Sequence, residues 1–315
     1  MPATTPWQNA SDCSASSVKA FATRWLGDAR IRLFTGAALI SLSPVWVKLV
    51  TVSPTTSGFY RVLIGGVALA IYLVAGGKRL EFSRRVWWIL GLAAIFFALD
   101  LWFWHRSIQY VGPGLSTLLA NFQVFIMMFA GAFLLREAPS PVQLIAVPIA
   151  LIGLAMIVGL DFSELSTDYR WGVVFGLLTA VSYSGYLLSL RASRHGSPHR
   201  LPAREVAVVS LVTAAILGAT AAFEGESLAL TGTADIAWLV AYGILSHCLG
   251  WLFIASSLPE VSPTDGGIAL LLQPTLSFAW DILFFDRPMT TIELAGAGLA
   301  LIAIYLGASK RSKQP

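Results

Sequence analysis

Apolar residues run along this chain in long blocks, not in the alternation of a strand or the narrow stripe of a surface helix. Ten blocks approach or exceed the ~20 residues that a helix needs to cross a hydrocarbon core. They lie at about 33–52, 57–75, 87–105, 114–135, 142–160, 171–190, 206–223, 236–258, 267–285 and 290–309. The segments between them are short and carry the punctuation: Ser53-Pro54, Gly76-Gly77-Lys78-Arg79, Arg136-Glu137-Ala138-Pro139, Gly196-Ser197-Pro198 and Asp286-Arg287-Pro288. No connection is long enough for a folded soluble domain. The pattern predicts an all-α integral membrane protein.

Composition agrees. Of 315 residues, 56% are hydrophobic and 12% charged, against about 25% charged in a soluble domain; mean hydropathy is +0.72. The net charge of +4 is no nucleic-acid signal, because the basic residues sit in short loops. Cys13 lies in the polar N-terminal stretch and Cys248 in an apolar span, so no disulfide is expected. Residues 1–28 lead into the first apolar run without an A-x-A-like cleavage site, which predicts a retained first span behind a disordered or loosely helical tail.

Charge sets the expected orientation. With the N-terminus inside and ten crossings, inside segments hold 16 Lys and Arg (among them Lys19, Arg24, Lys78, Arg84, Arg191 and Lys310) and outside segments hold three, Arg106, Arg170 and Arg287. That bias is the positive-inside rule. Both termini are expected in the cytoplasm of a cell with the chain in its inner membrane.

Residues 87–160 and 237–310 repeat one another 150 positions apart. Trp88 matches Trp238, Phe103 matches Phe253, Ser107 matches Ser257 and Gln123 matches Gln273; Val111-Gly112-Pro113 matches Val261-Ser262-Pro263. The earlier parts of the halves align at an offset of 140, pairing Ser43-Pro44-Val45-Trp46 with Tyr183-Ser184-Gly185-Tyr186. Five spans is an odd number, so two such halves enter the bilayer in opposite senses. This predicts two inverted five-helix repeats, residues 31–160 and 170–310, after a cytoplasmic tail at 1–30. Inverted repeats are typical of secondary transporters, with the substrate near mid-depth at the repeat interface.

Ten spans, two five-span halves and a repeat ending in a Pro-kinked span followed by a small-residue span resemble the drug/metabolite transporter superfamily and its EamA group. The family's repeat carries a proline midway along the fourth span and an acid at its end. The second half keeps the proline as Pro274 and the first keeps the acid as Glu137, while Val124 and Arg287 stand at the other two positions. The general texture is most similar to the YddG-type aromatic amino acid exporters. The resemblance implies export of neutral or aromatic amino acids, without a cofactor or metal, by a monomer or homodimer. Another small neutral metabolite or a drug, or a channel-like facilitator, is the alternative.

Polar groups inside a bilayer are functional candidates by default. Gln123 and Gln273 are the sharpest pair, repeat-equivalent and near mid-depth. Asn121 and Ser43 add neutral polar groups, and Trp46, Phe97, Tyr183, Tyr186 and His247 an aromatic lining. Asp100 and His247 are candidates for proton coupling, and Pro44 and Pro274 for hinges. Arg61, Lys48, Arg106 and Asp265 read as snorkelling ends or loop pairs, and Asp100 as a partner for Arg106. No repeat-paired Lys or Arg lies deep, which disfavours a sugar-phosphate substrate. No H-E-x-x-H, metal-spaced His or Cys cluster or P-loop points to an enzyme.

Overall fold

The computed structural model describes residues 27–78, 81–134, 138–159, 165–193, 203–230, 232–257, 260–261 and 263–308. Cys13, Glu137 and the N-terminal tail, including its expected disorder, lie outside them. The described residues are helical, without strands. Among the described residues, nine helical stretches are long and apolar enough to cross a membrane. Large apolar side chains stand on the outside of the bundle: Phe223 is 93% exposed, Phe133 82% and Trp88 73%. A surface this apolar is stable only against lipid.

The helix starts follow local sequence. Asp28 accepts from the backbone of Arg30 and Ile31 to open α1 (Ala29–Ser41). The chain turns at Leu42, and Pro44 sits in the first turn of α2 (Ser43–Leu49), where its missing N–H costs nothing. Ser53, with Pro54 behind it, caps α3 (Pro54–Ala75). Ser83 caps α4 (Arg84–Ala120). Gln123–Leu134 forms α5. Ser140 and Gln143 make a reciprocal capping box at the start of α6 (Pro141–Val158). There follow α7 (Thr167–Ser193) and α8 (Ala203–Phe223). Next come α9 (Thr233–Ala241), a π-helical segment (Tyr242–Gly250) and α10 (Trp251–Ser257), which run on as one stretch. The last helices are α11 (Pro263–Phe285) and α12 (Thr291–Ala308).

Two departures from the sequence reading concern α4 and the stretch 236–258. The blocks at 87–105 and 114–135 are not separated by a loop: Arg84–Phe133 is one 50-residue apolar stretch, more than twice one crossing. Its direction breaks at Gly112, whose φ of +85° no helix contains. Gly112 is required there, since a Cβ would stand 2.9 Å from an Asp281 carboxylate oxygen. The break exposes two backbone groups, and side chains in and just beyond α11 satisfy both. Asp281 accepts from the Gly114 N–H at 2.9 Å, and Arg287 donates to the Val111 carbonyl at 2.7 Å. An acid at a restarting helix N-terminus is the favourable sign for its dipole. The second departure is the π-helical segment, where α-helical geometry was expected.

Two buried clusters fill the bundle. One draws on α3, the first part of α4, α7 and α8, with Val62, Leu69, Leu90, Phe97, Tyr186 and Val206 among its members. The other joins the end of α4, α5, α6, α7 and α12 through residues such as Leu115, Phe125, Ala150, Ala180 and Ala300. Small residues let α6 and α12 pack closely. A Cβ at Gly153 would lie 2.7 Å from both the Gly296 carbonyl and the Ala300 amide. Both atoms are backbone, so neither can turn aside. Gly153→Val is therefore expected to cost about 1–3 kcal/mol by overpacking and to lower the melting temperature in detergent by roughly 5 °C. Gly298→Ala, with nothing within 4 Å of its added carbon, should leave it unchanged. Equal melting of the two variants would refute the close packing.

Candidate functional site

Gly58, Arg61 and Gly65 are spaced i, i+3 and i+7, on one face of α3. This is the packing face, not the lipid face. A Cβ on Gly58 would meet the His105 ring at 3.5 Å, and one on Gly65 would strike His247 at 2.4 Å. Gly66, beside them, approaches Ser210. The small residues bring α3 against its neighbours and carry Arg61 into the bundle, where it is 9% exposed. The sequence reading of Arg61 as a snorkelling or loop-pairing residue is thus corrected.

The guanidinium is held by rings. It lies 4.9 Å from the Tyr242 ring centroid and 5.4 Å from that of Trp104, the cation–π arrangement that gains most when water is excluded. Its Nη1 donates to the Tyr242 hydroxyl at 2.9 Å. That hydroxyl is 3.3 Å from Nε2 of His105, whose Nδ1 is 2.7 Å from the Leu101 carbonyl. A carbonyl only accepts, so His105 carries its proton on Nδ1 and is neutral. Nε2 then accepts from Tyr242, leaving the phenol oxygen free to accept from Arg61. The Arg61 Nη1, Tyr242 hydroxyl and His105 Nδ1 donors thus each have an acceptor. The Nε of Arg61 is buried without a partner.

The π-helical segment supplies the opposite wall. Its i→i+5 bonds stack residues five apart, which sets Tyr242 and His247 on one side of the same element. His247 is fully buried, with Nε2 2.8 Å from Ser210 Oγ and Nδ1 unpartnered. Its ring stacks on Phe97 at 5.9 Å, and Phe97 stacks on Tyr186 at 4.6 Å. Tyr183 follows at 5.7 Å from Tyr186. Asp100, 6% exposed, lies on α4 within electrostatic reach of Arg61, as do Tyr183, Tyr186 and His247. Phe97, Asp100, Tyr183, Tyr186 and His247 thus gather around Arg61.

The remaining candidates are placed elsewhere. Trp46 donates to Ser246 at 3.1 Å, stacks on Trp238 and packs beside the Trp104–Tyr242 cluster. Asn121 donates back to its own helix at Thr117. Ser43 Oγ and Gln123 Oε1 are buried and unpartnered, and Gln273 is half-buried beside Pro274. No hydrogen bond or ring contact among the described residues ties Ser43, Asn121, Gln123 or Gln273 to the Arg61 group, or Gln123 to Gln273. No group of three His, Cys, Asp or Glu among the described residues could hold a metal.

Arg106 does not pair with Asp100. It forms an ion pair with Glu224 at 2.8 Å, lies 4.0 Å from Glu226, and covers the Trp102 ring at 3.8 Å. Glu224 also accepts from Thr55 and Trp102, Ser53 donates to Glu226, and Thr51 donates twice to Asp235. Tyr60 donates to the Leu228 carbonyl. These bonds stitch the elements at one end of the bundle together. At the other end Arg30 pairs with Asp265 and Arg32 with Glu260.

Sequence reasoning missed Arg61, His105 and Tyr242. The glycine spacing around Arg61 was the available signal, because a charge on a small-residue face points inward.

The model of the EamA-like transporter family matches this chain over residues 30–159 and 170–308. The chain belongs to the EamA-like transporter family. As a member it is a multi-pass membrane transporter of small metabolites. It is 28% identical over 269 residues to YhbE of Escherichia coli strain K12, an uncharacterized inner membrane transporter, with 82% of each chain covered. A chloroplastic WAT1-related protein of Arabidopsis thaliana is 21% identical, covering 87% of this chain and 66% of its own. A transporter of Archaeoglobus fulgidus is 22% identical, with 82% and 90% covered. A solved crystal structure superposes with a TM-score of 0.63 at 18% identity over 88% of this chain and 95% of that one, a likeness of fold alone.

In this EamA chain the stitched end has a defined pH response. Burial pushes the Glu224 carboxyl up, but hydrogen bonds from Thr55 and Trp102 and the Arg106 charge outweigh it. They hold Glu224 below its ordinary value of 4.5. A carboxyl whose folded pKa is depressed contributes stability in full above its ordinary pKa, and that contribution disappears as pH falls through the lowered one. Hydrogen exchange in the 224–230 loop is therefore expected to be flat from pH 7 to 5, once corrected for intrinsic rates, and to accelerate below 4.5. Glu224→Gln should exchange fast at all pH values; a wild-type response centred near neutrality would contradict this assignment.

Proposed function

We propose that this chain is an exporter of neutral amino acids, aromatic ones prominent among them, working by alternating access in the cytoplasmic membrane. The observation that carries the reading is the stack of buried aromatic rings beside Arg61. Phe97 and His247, 150 positions apart, stack face to face between Tyr186 and α3. Flat, apolar rings with polar edges suit a planar side chain. The likeness to YddG-type exporters points the same way.

The topology proposed with it has ten spans, reading Arg84–Phe133 as two crossings that reverse at Gly112, in two inverted halves with both termini in the cytoplasm. On that reading the Glu224 and Arg287 end faces outward and is closed, leaving the cytoplasmic end to admit substrate. Asp100 and His247 remain the candidates for proton coupling. Both are buried, and Nδ1 of His247 is unpartnered.

Inverted vesicles or proteoliposomes containing the purified protein, given labelled phenylalanine, tryptophan, threonine and methionine, test the substrate. Saturable uptake into inverted vesicles above empty controls is expected, with phenylalanine among the best substrates; flux equal to the controls for all of them would sink the amino acid reading. Coupling is tested separately. Asp100→Asn should lose at least about tenfold more of the phenylalanine uptake driven by an imposed pH gradient than of phenylalanine counterflow. Equal losses in both assays would remove Asp100 from the coupling role.

A further inference from the structure

Arg61 carries a guanidinium and Asp100 a carboxyl; both side chains are buried and they do not touch. Among the described residues no ion pair joins them, although Arg61 acts electrostatically on Asp100. Asp100 accepts no hydrogen bond from any described residue. Arg61 uses Nη1 on Tyr242, has Trp104 and Tyr242 over its faces, and keeps an unpartnered, buried Nε. A guanidinium has five donors in a planar fork, and a carboxylate accepts at both oxygens. Burying either without its partners is strongly destabilising. A guanidinium with an unused Nε and a nearby carboxyl with no hydrogen-bond donor among the described residues define the shape of what completes them.

We infer that Arg61 and Asp100 form a zwitterion site that binds the carboxylate and ammonium groups of an α-amino acid. The carboxylate takes the open edge of the Arg61 fork, a bidentate match that Lys cannot reproduce. The ammonium takes Asp100. The side chain then lies along the Phe97–Tyr186 stack. Tyr242 and His105 are positioning residues: their chain of hydrogen bonds fixes the fork and leaves Nε unused. Specificity follows from repulsion as much as attraction. A dianion meets Asp100 and a bare cation meets Arg61, so only a ligand carrying both charges satisfies the pair.

This inference rests on the transport reading, and the test separates the two. The purified full-length protein in nanodiscs is titrated with L-phenylalanine, with 3-phenylpropanoate, which lacks the amine, and with phenethylamine, which lacks the carboxylate. Phenylalanine is expected to bind about 10- to 100-fold tighter than either analogue. Arg61→Gln should weaken phenylalanine by a similar factor while sparing phenethylamine, and Asp100→Asn should do so while sparing 3-phenylpropanoate. Arg61→Lys, which keeps the charge, covers the case in which Arg61→Gln does not fold: it should weaken phenylalanine and leave phenethylamine unchanged. The wild-type comparison needs no variant. Analogues that bind as well as phenylalanine, or phenylalanine affinity unchanged in both folded variants, would overturn the zwitterion site. Wild-type protein that moves a neutral or singly charged solute but binds none of the amino acids would also overturn it, while transport itself stands. Wild-type protein that moves no solute would remove the transport reading and this inference with it.

Discussion

A guanidinium held inside a membrane-spanning bundle dictates what must surround it, because neither lipid nor an apolar core can replace its hydration. In this chain the answer is built from three elements. Glycines on α3 bring the backbone close enough to carry Arg61 inward. The π-helical segment presents Tyr242 and His247 from one side, and α4 contributes His105, Trp104 and Asp100 from the other. Truncating Tyr242 or refilling Gly65 disturbs the same arrangement, since Gly65 packs on His247 and Tyr242 carries the only hydrogen bond to the guanidinium among the described residues. The charge is therefore the centre from which the packing of these three helical elements can be understood.

The two ends of the bundle answer a different demand. A transporter must close one side while the other opens, so its closing contacts must be strong together and separable individually. Under the proposed alternating access, the end at Glu224 meets this with exposed and half-buried polar bonds shared among Arg106, Thr55, Trp102 and Glu226. None of them needs a core to be dismantled. Asp281 and Arg287 differ: they satisfy backbone groups freed by the Gly112 break and belong to the fold of α4 and α11.

Several features were legible in the chain before any coordinates. The apolar blocks give helices that need a bilayer, because uninterrupted runs of that length have no stable alternative. The Ser-Pro and Ser-x-x-Gln signals place helix starts at Pro54 and Pro141 through local hydrogen bonds. Repeat matching singled out Phe97 with His247, and the two rings stack in the fold. Repeat matching singled out Gln123 with Gln273 just as firmly, and no described contact joins those two. Identity at a repeat position says that two side chains occupy related places, not that they meet.

What the sequence by itself determined is the set of short-range and solvent-driven facts: spans, caps, breaks at glycine and proline, and a membrane address. What only the tertiary structure decided is where each polar group points. Arg61 reads as a surface charge near a helix end because hydropathy counts residues along a line and ignores the face they occupy. His105 reads as one more residue between aromatics, since its partners Leu101 and Tyr242 lie one turn away and 137 positions away. The π-helical segment Tyr242–Gly250 likewise meets α3 through Gly65 and Gly243, residues far apart in the chain. Burial of a charge is a property of several helices at once, and no stretch of one helix encodes it.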